Sequence, residues 1–120
     1  MKISILLPYK ENFSPEYPGA VSLFVYETSK ISKFKKYINV YGNTNYKKIF
    51  NLKYTNINTN KALFNSQTKN YVEDFIKLEK KDNSSIIEVH NRPSYIHIIN
   101  NYAKDKILTL YFHNDPLSMD

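Results

Sequence analysis

The sequence predicts an α/β domain: a doubly wound, mainly parallel sheet of about five strands with flanking helices. Three observations lead there. Short apolar runs alternate with segments whose apolar residues recur at steps of three and four, the pattern of strands joined by crossover helices. The chain has 120 residues, 42% of them hydrophobic, which closes one core but not two packed domains. Polar residues collect directly after the apolar runs, at the strand ends where parallel sheets hold ligands.

In order, Ile3 to Leu7 is an apolar run closed by Pro8, as in a strand buried on both faces. Pro8 to Pro18 is a loop with three prolines and no helical period. Gly19 opens a helix whose core stripe is Val21, Phe24, Thr28 and Ile31, fading into lysines after Ser32. Ile38 to Tyr41 is a second strand, ended by Gly42-Asn43-Thr44. Between Tyr46 and Ile57 the pattern is ambiguous, with a third strand placed at Ile49 to Tyr54.

Asn60 is the expected N-cap of a second helix. Its apolar face is Leu63, Phe64, Tyr71, Val72, Phe75 and Ile76, and it ends near Lys81. Asp82-Asn83-Ser84 turns the chain into a fourth strand, Ser85 to Val89. Pro93 suits the first turn of a third helix, continued by Tyr95, Ile96, Ile99 and Tyr102. Asp105-Lys106 leads into a fifth strand, Ile107 to Phe112, read as buried, after which a further helix normally covers such a sheet.

Composition excludes several functions. With no Cys there is no disulfide framework, thiol nucleophile or cysteine zinc site. The opening apolar run is too short for a signal peptide or membrane span, so a cytoplasmic protein is expected. Gly19 has no glycine neighbours for a dinucleotide turn, no Walker-type loop is present, and no Ser sits in a nucleophile elbow. No cofactor is expected.

The net charge of +6 suits nucleic acid, an anionic membrane surface or a phosphorylated substrate. The lysines are scattered, however, with dense groups only at Lys33 to Lys36, Lys47-Lys48 and Lys77 to Lys81, and these read as solvated helix ends and faces. The tyrosines do not interleave with them as in single-strand binders, so nucleic acid is not the expected partner. Peripheral association with the inner face of a membrane stays open through the basic surface.

The sharpest feature is an echo between His90-Asn91-Arg92-Pro93 and His113-Asn114-Asp115-Pro116. Each group offers an imidazole, an amide and a charge before a stiffening Pro. Arg92 can clamp a phosphate or carboxylate, Asp115 can accept from a sugar hydroxyl, and His113 can hold a hydroxyl or move a proton. Asn, Asp and Pro are also ordinary turn formers after strands. The Pro18-Gly19-Ala20 step is a second feature: Gly lets a backbone approach a ligand, and a helix start attracts anions. It is also a plain helix start. His90, His113 and Asp115 match no known metal-ligand spacing, so no metal is expected. His97 reads as a helix surface residue.

These segments resemble the N-terminal domain of family 4 glycosyltransferases of the GT-B fold. The resemblance is carried by Lys2 to Pro8 followed by Tyr17-Pro18-Gly19-Ala20-Val21, by Ile86-Ile87-Glu88-Val89-His90-Asn91-Arg92, and by Leu110-Tyr111-Phe112-His113-Asn114-Asp115-Pro116. It implies a Rossmann-like acceptor-side domain, residues 1–120, forming one wall of a cleft. It also implies a separate C-terminal domain that binds the nucleotide-sugar donor and carries a Glu-x7-Glu motif, for which this chain has no counterpart. On this resemblance Gly19 and Ala20 approach the donor phosphates or acceptor, and His113 is the catalytic-site residue. Arg92 and Asp115 carry over as acceptor contacts, the enzyme retains anomeric configuration, and no metal is used; His90, Asn91 and Asn114 join them as substrate-binding candidates from their place at the strand ends. The opening turn is Pro-Gly-Ala, where many members have Gly-Gly. The isolated chain is expected to show little transfer. A free-standing module for a sugar or phosphorylated small molecule is the alternative. All of these readings require Gly19, Arg92 and His113 to share one rim of a parallel sheet.

Overall fold

Strand β1 (Ile3–Leu6) is the centre of the sheet in the computed structural model, which describes residues 1–59 and 66–113. Its neighbours are β2 (Ile38–Gly42) and β4 (Ile86–His90), with β3 (Tyr54–Asn56) and β5 (Ile107–Tyr111) at the edges. The order is β3-β2-β1-β4-β5, and every neighbouring pair is parallel. Helix α1 (Ala20–Lys30) covers one face, packing Val21 and Val25 on Ile5, Leu7, Ile38 and Val40. Helices α2 (Gln67–Asp82) and α3 (Pro93–Asn100) cover the other, packing Tyr71, Phe75, Tyr95 and Ile99 on Leu6, Tyr41, Ile87 and Val89. This is an α/β Rossmann-like doubly wound fold, as the alternation of patterns predicts.

Local chemistry sets the element ends. The Ser66 hydroxyl caps α2 by accepting from the Lys69 N–H at 3.0 Å. Asn83 ends it in the left-handed region at φ 51°, a conformation Asn tolerates better than most residues. Pro93 opens α3, where its missing N–H leaves no bond unmade. The expected cap at Asn60 and the apolar positions Leu63 and Phe64 lie outside the described residues.

Three expectations are corrected. The buried side of α1 is Val21, Ser22, Val25 and Ser29, one residue round from the predicted stripe; Thr28 is exposed and Ile31 is 80% exposed. Small serines let the helix sit close to the sheet, so its contact line follows size as well as hydrophobicity. The third strand is Tyr54–Asn56, because Ile49 to Leu52 form an irregular cap over the core, tied by Phe50 N–H to the Phe13 carbonyl at 3.2 Å. Strand β5 is an edge strand with Ile107 61% and Tyr111 43% exposed, not a buried one; it pairs laterally with β4, and α3 packs on the face carrying Leu108 and Leu110. Among the described residues no helix is long and apolar enough to cross a membrane.

Candidate functional site

The chain leaves β1 for β2 across one face of the sheet and leaves β4 for β5 across the other. Their carboxyl ends therefore part at a crevice, the usual ligand position of this architecture. The loop after β1, the start of α1 and the ends of β4 and β5 line it.

Strand alternation places the reactive groups. Glu88 pairs in register with Ile5, whose side chain packs under α1, so Glu88 points to that same face. His90 follows two residues later, in register with Tyr111 of β5, and His113 lies two residues beyond Tyr111. No helix of the described residues other than α1 reaches this face, and α1 brings one ring to it. Phe24 meets His113 edge-on, 4.8 Å between centroids, and lies 5.1 Å from Tyr111. Tyr111 stacks on His90 at 5.3 Å and 21°.

Within this aromatic setting three side chains form a relay. Glu88 Oε1 is 2.6 Å from His90 Nε2, and His90 Nδ1 is 2.8 Å from His113 Nε2. The carboxylate can only accept, so His90 carries its proton on Nε2. In the neutral His90 tautomer Nδ1 is the acceptor and receives the Nε2–H of His113. The remaining nitrogen, His113 Nδ1, is left as a lone-pair acceptor. His90 is 1% exposed and His113 is half-buried, so the relay runs from the interior to the rim. Burial, and then neighbouring His90, push the His113 imidazole below its ordinary value, while Glu11 and Glu88 pull it back. The net effect keeps His113 neutral at neutral pH, the form a hydroxyl acceptor or general base needs. A cavity of about 180 Å³ opens beneath the relay, between Val25 and Ser29 on α1, Ser32 just after it, and Ile5, Glu88 and His90 on the sheet.

Asn91 holds the relay's geometry. It adopts φ 60° and accepts from the His113 backbone N–H through its side-chain oxygen at 3.2 Å. Its own N–H donates to the Tyr111 carbonyl at 2.8 Å. The Arg92 guanidinium folds back, donating to the Asn91 carbonyl at 2.7 Å, so it braces this turn.

The Gly19 turn has a different occupant from the one its sequence suggests. The Glu11 carboxylate accepts from the Ser22 N–H at 3.2 Å, filling the anion position at the start of α1. A Cβ on Gly19 would lie 1.8 Å from Glu11 Oε2, so glycine leaves the Glu11 carboxylate its place, and any side chain there would push that carboxylate aside. Since φ at Gly19 is −68°, close approach and not backbone freedom is the reason. A ligand phosphate would have to displace Glu11 there. Ala20 is exposed at the same turn.

The structure thus brings Gly19, His90, Asn91 and His113 to one rim, with Glu11 close enough to act on both α1 and His113. Arg92 sits on the rim but is turned onto its own loop. Asn114 and Asp115 lie outside the described residues, and His97 is exposed on α3. Among the described residues no group of three or more His, Cys, Asp or Glu is arranged to hold a metal.

Sequence reasoning missed Glu88, Glu11 and Tyr111 as site residues and took Phe24 as core. Period-two alternation from His90 back to Glu88 and from His113 back to Tyr111 held the signal for two of them. Nothing local marks Glu11, which meets α1 eleven residues later. No known protein family and no curated protein matches the chain.

Proposed function

We propose that this chain is the acceptor-side domain of a sugar-transferring enzyme, with His113 holding the acceptor hydroxyl. The observation that carries the reading is the Glu88–His90–His113 relay, which ends in the His113 imidazole at the crevice between β1 and β4. A sugar hydroxyl donates to His113 Nδ1, and the Phe24 and Tyr111 rings beside it give apolar contact to the ring carbons. Any proton His113 takes up is shared toward His90 and balanced by Glu88. The nucleotide-sugar donor, in this reading, is held mainly by a second domain, as the family resemblance implies. Glu11 at the start of α1 favours a neutral polyhydroxyl ligand over a phosphorylated one on this wall.

The relay is complete within one domain, which also favours a free-standing sugar-binding module at the same rim. Calorimetry of the chain against a panel of methyl glycosides, oligosaccharides and nucleotide sugars tests both. Saccharide binding is expected, weakened tenfold or more in His113→Ala through loss of one buried-side hydrogen bond worth on the order of 1–3 kcal/mol. Binding should also fall as pH drops through the His113 titration, since protonation removes the acceptor. Equal affinities for parent and variant, or no saccharide bound at all, would overturn the reading. Added donor separates the two forms: the module gives no transfer under any condition, and the acceptor domain gives transfer once a donor-binding domain is supplied.

A further inference from the structure

The charge of this protein is unevenly distributed: from Thr28 to Val72 there are nine lysines and no Asp or Glu. The topology concentrates part of that run at the amino-terminal edge of the sheet, the edge opposite the His113 relay. There α1 ends, a short 3₁₀ turn (Lys35–Tyr37) leads into β2, and the segment before β3 returns. Lys33, Lys35, Lys36 and Lys53 line a depression of about 540 Å³ between them. Among the described residues no carboxylate lies within ion-pair distance of any of these four.

The helix C-terminus accounts for some of this charge, because its carbonyls attract cations. It does not account for the residues between the lysines. Ile31 is 80% exposed and Phe34 41% exposed, at positions where a purely solvated turn would carry polar side chains.

From this juxtaposition we propose that the amino-terminal edge docks on an anionic lipid surface. The four lysines meet the headgroups, and Ile31 and Phe34 enter the headgroup–acyl boundary. Nucleic acid would explain the lysines and a stacking Phe34 but gives no role to Ile31. Docked this way, the protein keeps the carboxyl-end crevice facing the aqueous side. The proposal is independent of the sugar-transfer reading, because none of the four lysines, Ile31 or Phe34 belongs to the relay or its aromatic setting.

The test is co-sedimentation of the chain with vesicles of phosphatidylcholine alone and of equal parts phosphatidylcholine and phosphatidylglycerol. Binding is expected only to the anionic vesicles, falling steeply with salt. Lys33→Gln, Lys35→Gln and Lys36→Gln together should weaken it on the order of a hundredfold, at roughly fivefold per lysine. Ile31→Ser with Phe34→Ser should weaken it by about tenfold or more. All five positions are at the surface, and circular dichroism confirms that each variant is folded. Equal binding to both vesicle types, no vesicle binding, unchanged affinity in the serine variant, or tighter binding to a DNA oligonucleotide at the same salt would each overturn the proposal.

Discussion

Replacing Lys106 with Met is expected to remove about 3–5 kcal/mol of folding stability, a large share of what a domain of this size has. The reason lies in Glu79, whose side chain is fully buried near the end of α2. Its carboxylate accepts from the Ser84 N–H at 2.6 Å, from the Tyr102 hydroxyl, and from Lys106 Nζ at 3.3 Å. Lys106 also donates to Asn83 Oδ1 at 3.1 Å and to the Ser84 carbonyl at 2.6 Å. One cluster thus joins α2, the turn into β4, the residues after α3 and the turn into β5. Met keeps the length and volume of the lysine stem and removes only the cation, leaving a buried carboxylate without its counter-charge. The exposed pair Lys77–Asp74, 3.8 Å apart with the lysine 78% exposed, is the control: Lys77→Met should cost less than about 1 kcal/mol. Urea denaturation of both variants reads the difference. A Lys106→Met midpoint indistinguishable from that of Lys77→Met would show that the buried cluster does not depend on its charge.

Phe13→Ala is expected to cost about 3–5 kcal/mol, an effect belonging to a core residue although Phe13 sits in a loop. Its side chain is fully buried. Its ring stacks on Tyr54 at 5.3 Å and 9°, and meets Phe50 edge-on at 5.1 Å. Its N–H donates to Thr44 Oγ1 at 3.0 Å and its carbonyl accepts from Phe50 N–H, so the backbone is pinned as well. Phe13 is the anchor that fixes the long β1–α1 connection, and Glu11, two residues away, depends on that anchor to reach the start of α1. The variant should therefore lose stability and also free the Glu11 carboxylate, seen as a shift of the Ser22 amide resonance. A loss under about 1 kcal/mol would mean the loop is held by its hydrogen bonds and not by its aromatic plug.

Both effects mark where a single sequence stops informing. Alternation of apolar runs with helical periods was enough for the parallel α/β sheet, since each strand and helix carries its own local signal. It was not enough for Phe13, a lone apolar residue between prolines whose partners come from β3 and the segment before it. Glu79 was legible in principle: it falls on the helical stripe of Val72 and Phe75, but it is flanked by Lys80 and Lys81 and read as part of a solvated run. On α1 the buried face followed Ser22 and Ser29, small residues that hydrophobic periodicity ignores. At the candidate site the strand-end histidines were visible because a parallel sheet puts all its carboxyl ends on one rim. Their connection to each other was not, because it depends on β4 and β5 being neighbours. The Gly19 turn suggested an anion, and the structure supplies one from the chain itself, in Glu11.

The hold of His113 on a hydroxyl depends most on the tautomer chain that leaves its Nδ1 bare. Imidazole nitrogen chemical shifts, measured by long-range ¹⁵N–¹H correlation across a pH series, read it directly. The relay predicts that at neutral pH His90 and His113 both carry their proton on Nε2, and that His113 becomes an imidazolium only below the ordinary imidazole range. A His113 protonated on Nδ1, or already cationic at neutral pH, would contradict it.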